Sequence, residues 1–235
     1  MCGIVGVYLK TKKFEKDLGK ILSGMLNNME SRGPDSAGFA IYKTENEKKF
    51  KYSICLNNLN FDDFRKEIIK KVKKPTINQY SDHVILTTSD EPKKVIKLIN
   101  SEFTNISLVG YGRSIEIFKQ VGNPKDVVKK FKLETFSGSH GIGHTRMATE
   151  SAITTDGSHP YSTGEDECLV HNGSLSNHNN LRRELKKQGN IFNSENDTEV
   201  AAGYVSNSLS KNKSLKDTLI SGLKDLDGFY TFITG

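Results

Sequence analysis

The stretch MCGIVGVYL (residues 1–9) decides how the rest of the chain is read. Ile4, Val5, Val7, Tyr8 and Leu9 form a short apolar, β-branched run broken by Gly3 and Gly6, the pattern of a core strand. Cys2 stands directly ahead of it, and two readings of Cys2 are open. One is a small buried hydrophobe, the usual fate of a free cysteine. The other depends on processing. Aminopeptidases remove an initiator methionine when the next residue is small, and Cys2 would then carry both a thiol and a free α-amino group. An α-amine titrates at about 7.7–8.0, so it can accept the thiol proton and act as the base for its own nucleophile.

Bulk properties narrow the field. The chain has 235 residues, enough for one large domain or two small ones. With 35 % hydrophobic and 26 % charged residues, it reads as a soluble globular protein. It has no run of about 18 apolar residues that would mark a transmembrane helix, and no secretory signal. The formal net charge is +6, from 34 basic and 28 acidic residues. Much of the excess sits in lysine runs, Lys48, Lys49 and Lys51, then Lys70, Lys71, Lys73 and Lys74. Phe50 is the one aromatic that falls within these runs, and no nucleic-acid motif accompanies them. A solvated helix face or a partner-facing surface is favoured over nucleic-acid binding. Three cysteines, Cys2, Cys55 and Cys168, give an odd count and no CxxC pair. That argues for a reducing, cytoplasmic compartment and against a disulfide frame or a zinc site.

Periodicity places the elements. Leu18, Ile21, Leu22, Met25, Leu26 and Met29 follow helical spacing and mark one helix face. Gly33-Pro34-Asp35 is a turn, and residues 38–42 read as a strand. The segment 45–135 is lysine-rich and alternates strand and helix: KYSICL, FDDFRKEIIKKV, HVILTT, EPKKVIKLINSEF, then NISLVGYG and SIEIFKQVG as paired strands, and PKDVVKKF as a short helix. It reads as an α+β insertion. Beyond Ser137, one helix carries Leu181 and Leu185 and stops at Gly189, a second begins near Asp197, and SLKDTLISGLKDL is a third. The chain ends in GFYTFITG, read as a strand, so the domain is expected to be incomplete at its C-terminal end.

Chemistry concentrates in the second half. Arg146, in GHTRMAT, is costly at the mouth of a core strand without an anionic partner. Its planar fork suits a carboxylate, whether in a structural salt bridge or in a bound molecule. Asp197 reads as a first-turn helix acid or as a receptor for an ammonium group. Arginine and aspartate together are the minimal pair for holding an α-amino acid. Asn172-Gly173 reads as a hairpin turn or as an oxyanion hole made of a side-chain amide and a backbone N–H. His171 and His159 are expected to make local hydrogen bonds, since an N-terminal cysteine with its own amine needs no histidine base.

The order of these pieces carries a resemblance. CGIVG at 2–6, SRGPDSAG at 31–38, GHTRMAT at 143–149, HNG at 171–173 and NDTEV at 196–200 resemble the glutaminase domain of class II glutamine amidotransferases, which are N-terminal nucleophile hydrolases. The resemblance covers residues 2–42 and 137–235 and implies an α+β fold, a four-layer αββα sandwich, spanning 2–235 with 45–135 inserted. It implies Cys2 as nucleophile, Asn172 and Gly173 as oxyanion hole, and Arg146 and Asp197 as holders of the glutamine carboxylate and amine. Thr149 and His171 join the substrate-binding set, as does Arg32, which orders the loop beside Cys2. Met147, Glu150 and Tyr161 depart from the pattern and point away from the glucosamine-forming branch. The longer match is to stand-alone amidotransferase subunits related to glutamate synthase, among them the small subunit of methylamine–glutamate N-methyltransferase (N-methylglutamate synthase).

What the resemblance implies is acyl transfer: glutamine hydrolysed to glutamate and ammonia through a Cys2 thioester, with ammonia delivered to a glutamate-synthase-like partner subunit. No metal or other cofactor is expected in this chain. FMN and an iron–sulfur cluster would belong to partner subunits, because no cluster-type cysteine spacing, GxGxxG or P-loop occurs here. Two alternatives stay open. The chain would serve N-methylglutamate formation with methylamine, or would be a silent regulatory or assembly subunit if Met1 is retained. No nucleic-acid or membrane partner is expected.

Overall fold

The computed structural model describes residues 2–148 and 152–235. The opening apolar run forms strand β1 (Gly3–Tyr8). The stripe that follows forms helix α1 (Leu18–Asn28), which buries Leu18, Leu22 and Leu26. Strand β2 (Ser36–Tyr42) is buried at all seven positions, so it needs cover on both faces. Ala37, Phe39 and Ile41 pack in one cluster with α1, whereas Ala40 and Tyr42 belong to a second cluster on the other side.

The lysine-rich span 45–135 holds two kinds of element. Strands β3 (Phe50–Cys55), β4 (Thr76–Tyr80), β5 (His83–Thr88) and β6 (Ser107–Gly112) form an antiparallel sheet in the order β4-β5-β3-β6. Helices α2 (Phe61–Ile68) and α3 (Pro92–Glu102) cover one face, where Phe64, Ile68, Val95 and Ile99 meet Tyr52, Ile54, Val84 and Leu86. Asn60 caps α2 by accepting from the Asp62 and Asp63 N–H groups. β4 escaped the sequence reading because TINQY is largely exposed and its two apolar residues, Ile77 and Tyr80, are three apart and pack on different clusters, so no alternation shows.

The expected pairing of 105–112 with 114–122 does not occur. β6 pairs with β3, while strand β7 (Ile115–Val121) leaves to pair with β2. The cause is the two-residue corner between them. The N–H groups of Arg113, Ser114 and Ile115 donate to the Asp166 carboxylate at 2.7, 2.8 and 2.9 Å, which turns the chain out of one sheet and into the other. Helix α4 (Pro124–Lys130) then returns to the α1 side, where Val127 and Val128 join that cluster. The added sheet is seated directly on the main one, since the Ile117 N–H of β7 donates to Ser53 Oγ of β3 at 2.9 Å.

Strand β8 (His140–Arg146) enters between β1 and β2 and completes an antiparallel sheet in the order β1-β8-β2-β7. Strands β9 (Leu169–Leu175) and β10 (Gly228–Thr234) pair as a second inner layer, with Val170 and Ile233 packed against Ile4, Ala40 and Ile142. Helices α5 (His178–Lys187), α6 (Asp197–Leu209) and α7 (Leu215–Asp225) follow. Ala201, Ala202 and Val205 of α6 pack on Leu169, Leu175, Tyr230 and Phe232. Helix, sheet, sheet and helix therefore stack in the expected αββα order. Among the described residues, no helix is long and apolar enough to cross a membrane.

Candidate active site

Gly3 of β1 is registered opposite Thr145 of β8. Cys2, one residue ahead of the strand, therefore arrives beside Arg146, the last residue of β8. The Cys2 main chain is held from two directions, its carbonyl accepting from Arg32 Nε and from Asn172 Nδ2, each at 3.3 Å. Its thiol lies 3.8 Å from the Met147 carbonyl oxygen. The SRGPD segment presses onto the same end of β8. A Cβ at Gly33 would stand 2.3 Å from the Thr145 carbonyl carbon, so no side chain fits there. The Asp35 N–H donates to the Arg146 carbonyl at 3.0 Å, and the Ala148 N–H to Asp35 Oδ2 at 2.8 Å. Arg32 thus stands behind Cys2 as a brace.

Asn172 and Gly173 lie inside β9, opposite Thr231 and Tyr230 of β10, and not in the hairpin turn that the Asn-Gly pair left open. Gly173 has φ +133° and its Cβ would fall 2.0 Å from the Phe229 carbonyl oxygen, so only glycine is accommodated. Asn172 spends one amide N–H on Cys2 and retains the second.

Asp197 opens α6, after Asn196 caps the helix by accepting from the Thr198 N–H at 2.9 Å. Asp197 Oδ2 accepts from the Leu175 N–H at 2.9 Å, and Oδ1 lies 3.5 Å from His171 Nδ1. Burial opposes the Asp197 charge, but His171 and the Leu175 N–H outweigh it and hold the carboxyl below its usual range. Behind it sits a layer of buried histidines. The Thr198 hydroxyl joins His159 Nε2 at 2.8 Å and His171 Nδ1 at 2.9 Å, and His144 Nε2 meets the His171 carbonyl at 2.9 Å. The His144 and His159 rings stack with centroids 3.8 Å apart. Burial pushes His144 down to about 3 and His159 well below its ordinary value, so both rings are neutral at pH 7.

Cys2, Arg146, His171, Gly173 and Asp197 line one cleft of about 350 Å³. Arg146 is 5 % exposed and donates through Nη1 to the Ala152 carbonyl at 3.2 Å. A fixed guanidinium and a fixed carboxylate in one cleft complement the two ends of an α-amino acid, and the thiol lies in that same cleft. Thr149, expected to contact substrate, and Met1 and Glu150 lie outside the described residues.

The profile of a family described as "Glutamine amidotransferase domain" matches residues 132–215. The chain is 48 % identical over 238 residues to the glutamine amidotransferase-like protein GlxB of Rhizobium meliloti (strain 1021), a match spanning all of this chain and 79 % of that protein. The chain belongs to the class II glutamine amidotransferases. A putative glutamine amidotransferase of Methanothermobacter thermautotrophicus is 32 % identical over 250 residues, across all of this chain and 81 % of its own length. Among solved structures, the allosteric regulatory enzyme of purine biosynthesis superposes on the whole chain with a TM-score of 0.55, at 19 % identity and over 35 % of its own length. That likeness bears on the fold alone, the αββα sandwich.

The cleft of this amidotransferase also takes in Ser174, His178, Glu195 and Thr198, which the motif reading did not single out. Thr198 stood inside NDTEV; the signal available for it was its place one residue after a helix-opening aspartate. Among the described residues, Cys55, Asp82 and His83 are the one group whose ligand atoms lie close enough to share a metal ion, within 4.8 Å of one another. Each already has a partner: His83 Nδ1 meets Asp82 Oδ1 at 3.0 Å, Lys130 Nζ donates to Asp82 Oδ2 at 2.9 Å, and the Cys55 thiol donates to Asn57 Oδ1 at 3.2 Å. Burial pushes the Cys55 thiol up to about 11, so it is protonated at neutral pH. None of the three lines the cleft.

Proposed function

We propose that this chain is a glutaminase subunit that hydrolyses glutamine through a thioester on Cys2 and passes the ammonia to a separate glutamate-synthase-like subunit. The observation that supports this reading is the meeting of Cys2, Arg146, Gly173 and Asp197 in one cleft. Arg146 takes the α-carboxylate of glutamine and Asp197 its α-ammonium group, with His171 at the side of Asp197. Loss of Met1 exposes the Cys2 α-amine, which accepts the thiol proton. Sulfur attacks the carboxamide carbon, and the oxyanion is held by the second N–H of Asn172 and the N–H of Gly173. The amine returns the proton to the departing ammonia. Water then attacks the thioester, releasing glutamate and restoring the thiol.

The acceptor chemistry, with any FMN or iron–sulfur cluster, is assigned to the partner subunit, and the lysine-rich added sheet to its docking. The test is glutamate formation from glutamine by the purified chain, alone and with candidate synthase subunits, together with an intact mass that reports removal of Met1. Cys2→Ala should abolish turnover while leaving the circular dichroism spectrum unchanged. Retained turnover in that variant overturns the assignment. Adding methylamine to the assembled complex and looking for N-methylglutamate separates ammonia delivery from methylamine transfer.

A further inference from the structure

The loop joining α5 to α6 brings Glu195 and Asn196 to the wall of the cleft and ends at Asp197. Two buried charges hold it, Arg182 of α5 and Glu199 of α6, each 6 % exposed. The Arg182 guanidinium donates to the carbonyls of Ser194 and, at 3.1 Å, Asn196. The Glu199 carboxylate accepts from the N–H of Asn193, the N–H of Ser194 and the Ser194 hydroxyl, all at 2.8 Å. A cation therefore takes the loop's carbonyls and an anion its N–H groups. Phe192 adds a wedge: its ring lies 5.4 Å from the Arg182 guanidinium and against Gly203 of α6, where a Cβ would come within 2.7 Å of it. Buried charges are costly unless their hydrogen bonds are complete. Arg182 Nε is buried without a partner among the described residues, and the bonds the two charges do make go to the loop, to its backbone and the Ser194 hydroxyl. The Asn196 carbonyl held by Arg182 belongs to the peptide that joins Asn196 to Asp197.

We infer that Arg182 and Glu199 are positioning residues for Asp197 and set the amine-binding end of the cleft. The inference rests on the glutaminase reading for the role of Asp197. Arg182 does not line the cleft and acts one peptide away, so its loss should be felt by the part of the substrate that Asp197 receives. The peptide carrying Asp197 would shift, while Cys2, Asn172 and Gly173, which sit on other elements, would not.

The experiment compares L-glutamine with glutaramate, which lacks only the α-amine, in the full chain and in Arg182→Ala, Arg182→Lys and Glu199→Gln. For Arg182→Ala, KM for glutamine should rise on the order of tenfold with kcat nearly unchanged, and kcat/KM for glutaramate should stay within about twofold. Arg182→Lys should recover part of the loss, and Glu199→Gln, which keeps one acceptor oxygen, should show a smaller rise. Equal loss on both compounds, or loss that tracks only the unfolded fraction by circular dichroism, overturns the inference. If the unaltered protein turns over neither compound, the glutaminase reading fails on its own. The clamp is then read by calorimetric binding of L-glutamate against glutarate. A variant that weakens both equally, or an unaltered protein with no preference for glutamate, overturns it.

Discussion

The Asn172 side-chain amide donates to the main-chain carbonyl of Cys2 at 3.3 Å, across 170 residues of sequence and between two sheets. This bond joins the start of β1 to the middle of β9, so Cys2 and the Asn172-Gly173 pair share one rigid reference. It takes one of the two amide N–H groups and leaves the other, which is an oxyanion donor under the proposed glutaminase mechanism. Asn172→Ala should therefore lower kcat by about 100- to 1,000-fold with little change in KM, since Arg32 still holds the Cys2 carbonyl. Steady-state kinetics with glutamine decides it. A KM effect alone would place Asn172 in ground-state binding.

Arg146 is the buried cation of the cleft. Arg146→Lys replaces a planar fork by a point charge. KM for glutamine should rise by about tenfold or more while kcat changes less. An unchanged KM would remove Arg146 from carboxylate recognition.

Two glycines should respond in opposite directions. At Gly173, alanine must adopt φ +133° and place its Cβ 2.0 Å from the Phe229 carbonyl oxygen. The backbone strain alone is about 1–3 kcal/mol, and the clash opens the β9–β10 pair, so both melting temperature and turnover should fall. At Gly24, inside α1, nothing lies within 4 Å of a new Cβ, and Gly24→Ala should stabilise by about 0.4–1 kcal/mol. Thermal melts of the two variants test both statements.

The buried histidines give the fold an acid sensitivity. Burial holds His144 at about 3 in the folded state, against about 6.5 when unfolded. Between those values the unfolded chain binds the extra proton, so stability falls as pH drops from about 6.5 towards 3. The slope is at most about 1.4 kcal/mol per pH unit for each such histidine. His159 acts in the same direction. His144→Gln, whose amide can still donate to the His171 carbonyl, should flatten the dependence by up to one proton's worth. Urea denaturation at pH 5 and 7 measures this, and an unchanged slope would sink the idea.

Much of the architecture is legible in the sequence because it is periodic. The spacing of Leu18, Leu22 and Leu26 gives α1 and its buried face, and the apolar run after Cys2 gives β1. The cleft is legible because its residues sit in short motifs at element ends: Arg146 closes β8 and Asp197 opens α6. What escaped depends on long-range partners. Asn172-Gly173 has the composition of a turn but stays in a strand, because β10, more than 50 residues later, pairs across it. The sequence reading assigns Arg182 no role and takes Glu199 only as part of NDTEV, and only the path of the loop between them explains their burial. β4 has no apolar alternation to betray it, since Ile77 and Tyr80 fall on different clusters.

The exchange of β6 and β7 between sheets is the largest departure, and it yields the last prediction. Read locally, residues 105–122 are two strands separated by a short turn. The structure separates them because Asp166, itself at φ +53°, offers its carboxylate to three successive N–H groups and to the Ser114 hydroxyl at 2.8 Å. Asp166→Asn keeps one acceptor oxygen but turns an NH₂ group toward donors, leaving at least one N–H of the corner without a partner. Hydrogen bonds to a charged group are worth about 1.5–3 kcal/mol each, so a loss of about 2–3 kcal/mol is expected in urea denaturation. None of Arg113, Ser114 or Asp166 lines the cleft, so KM for glutamine should not move. Amide hydrogen exchange at Arg113, Ser114 and Ile115 should accelerate. Unchanged exchange at these three amides would show that the corner is held by the flanking strands and not by the carboxylate.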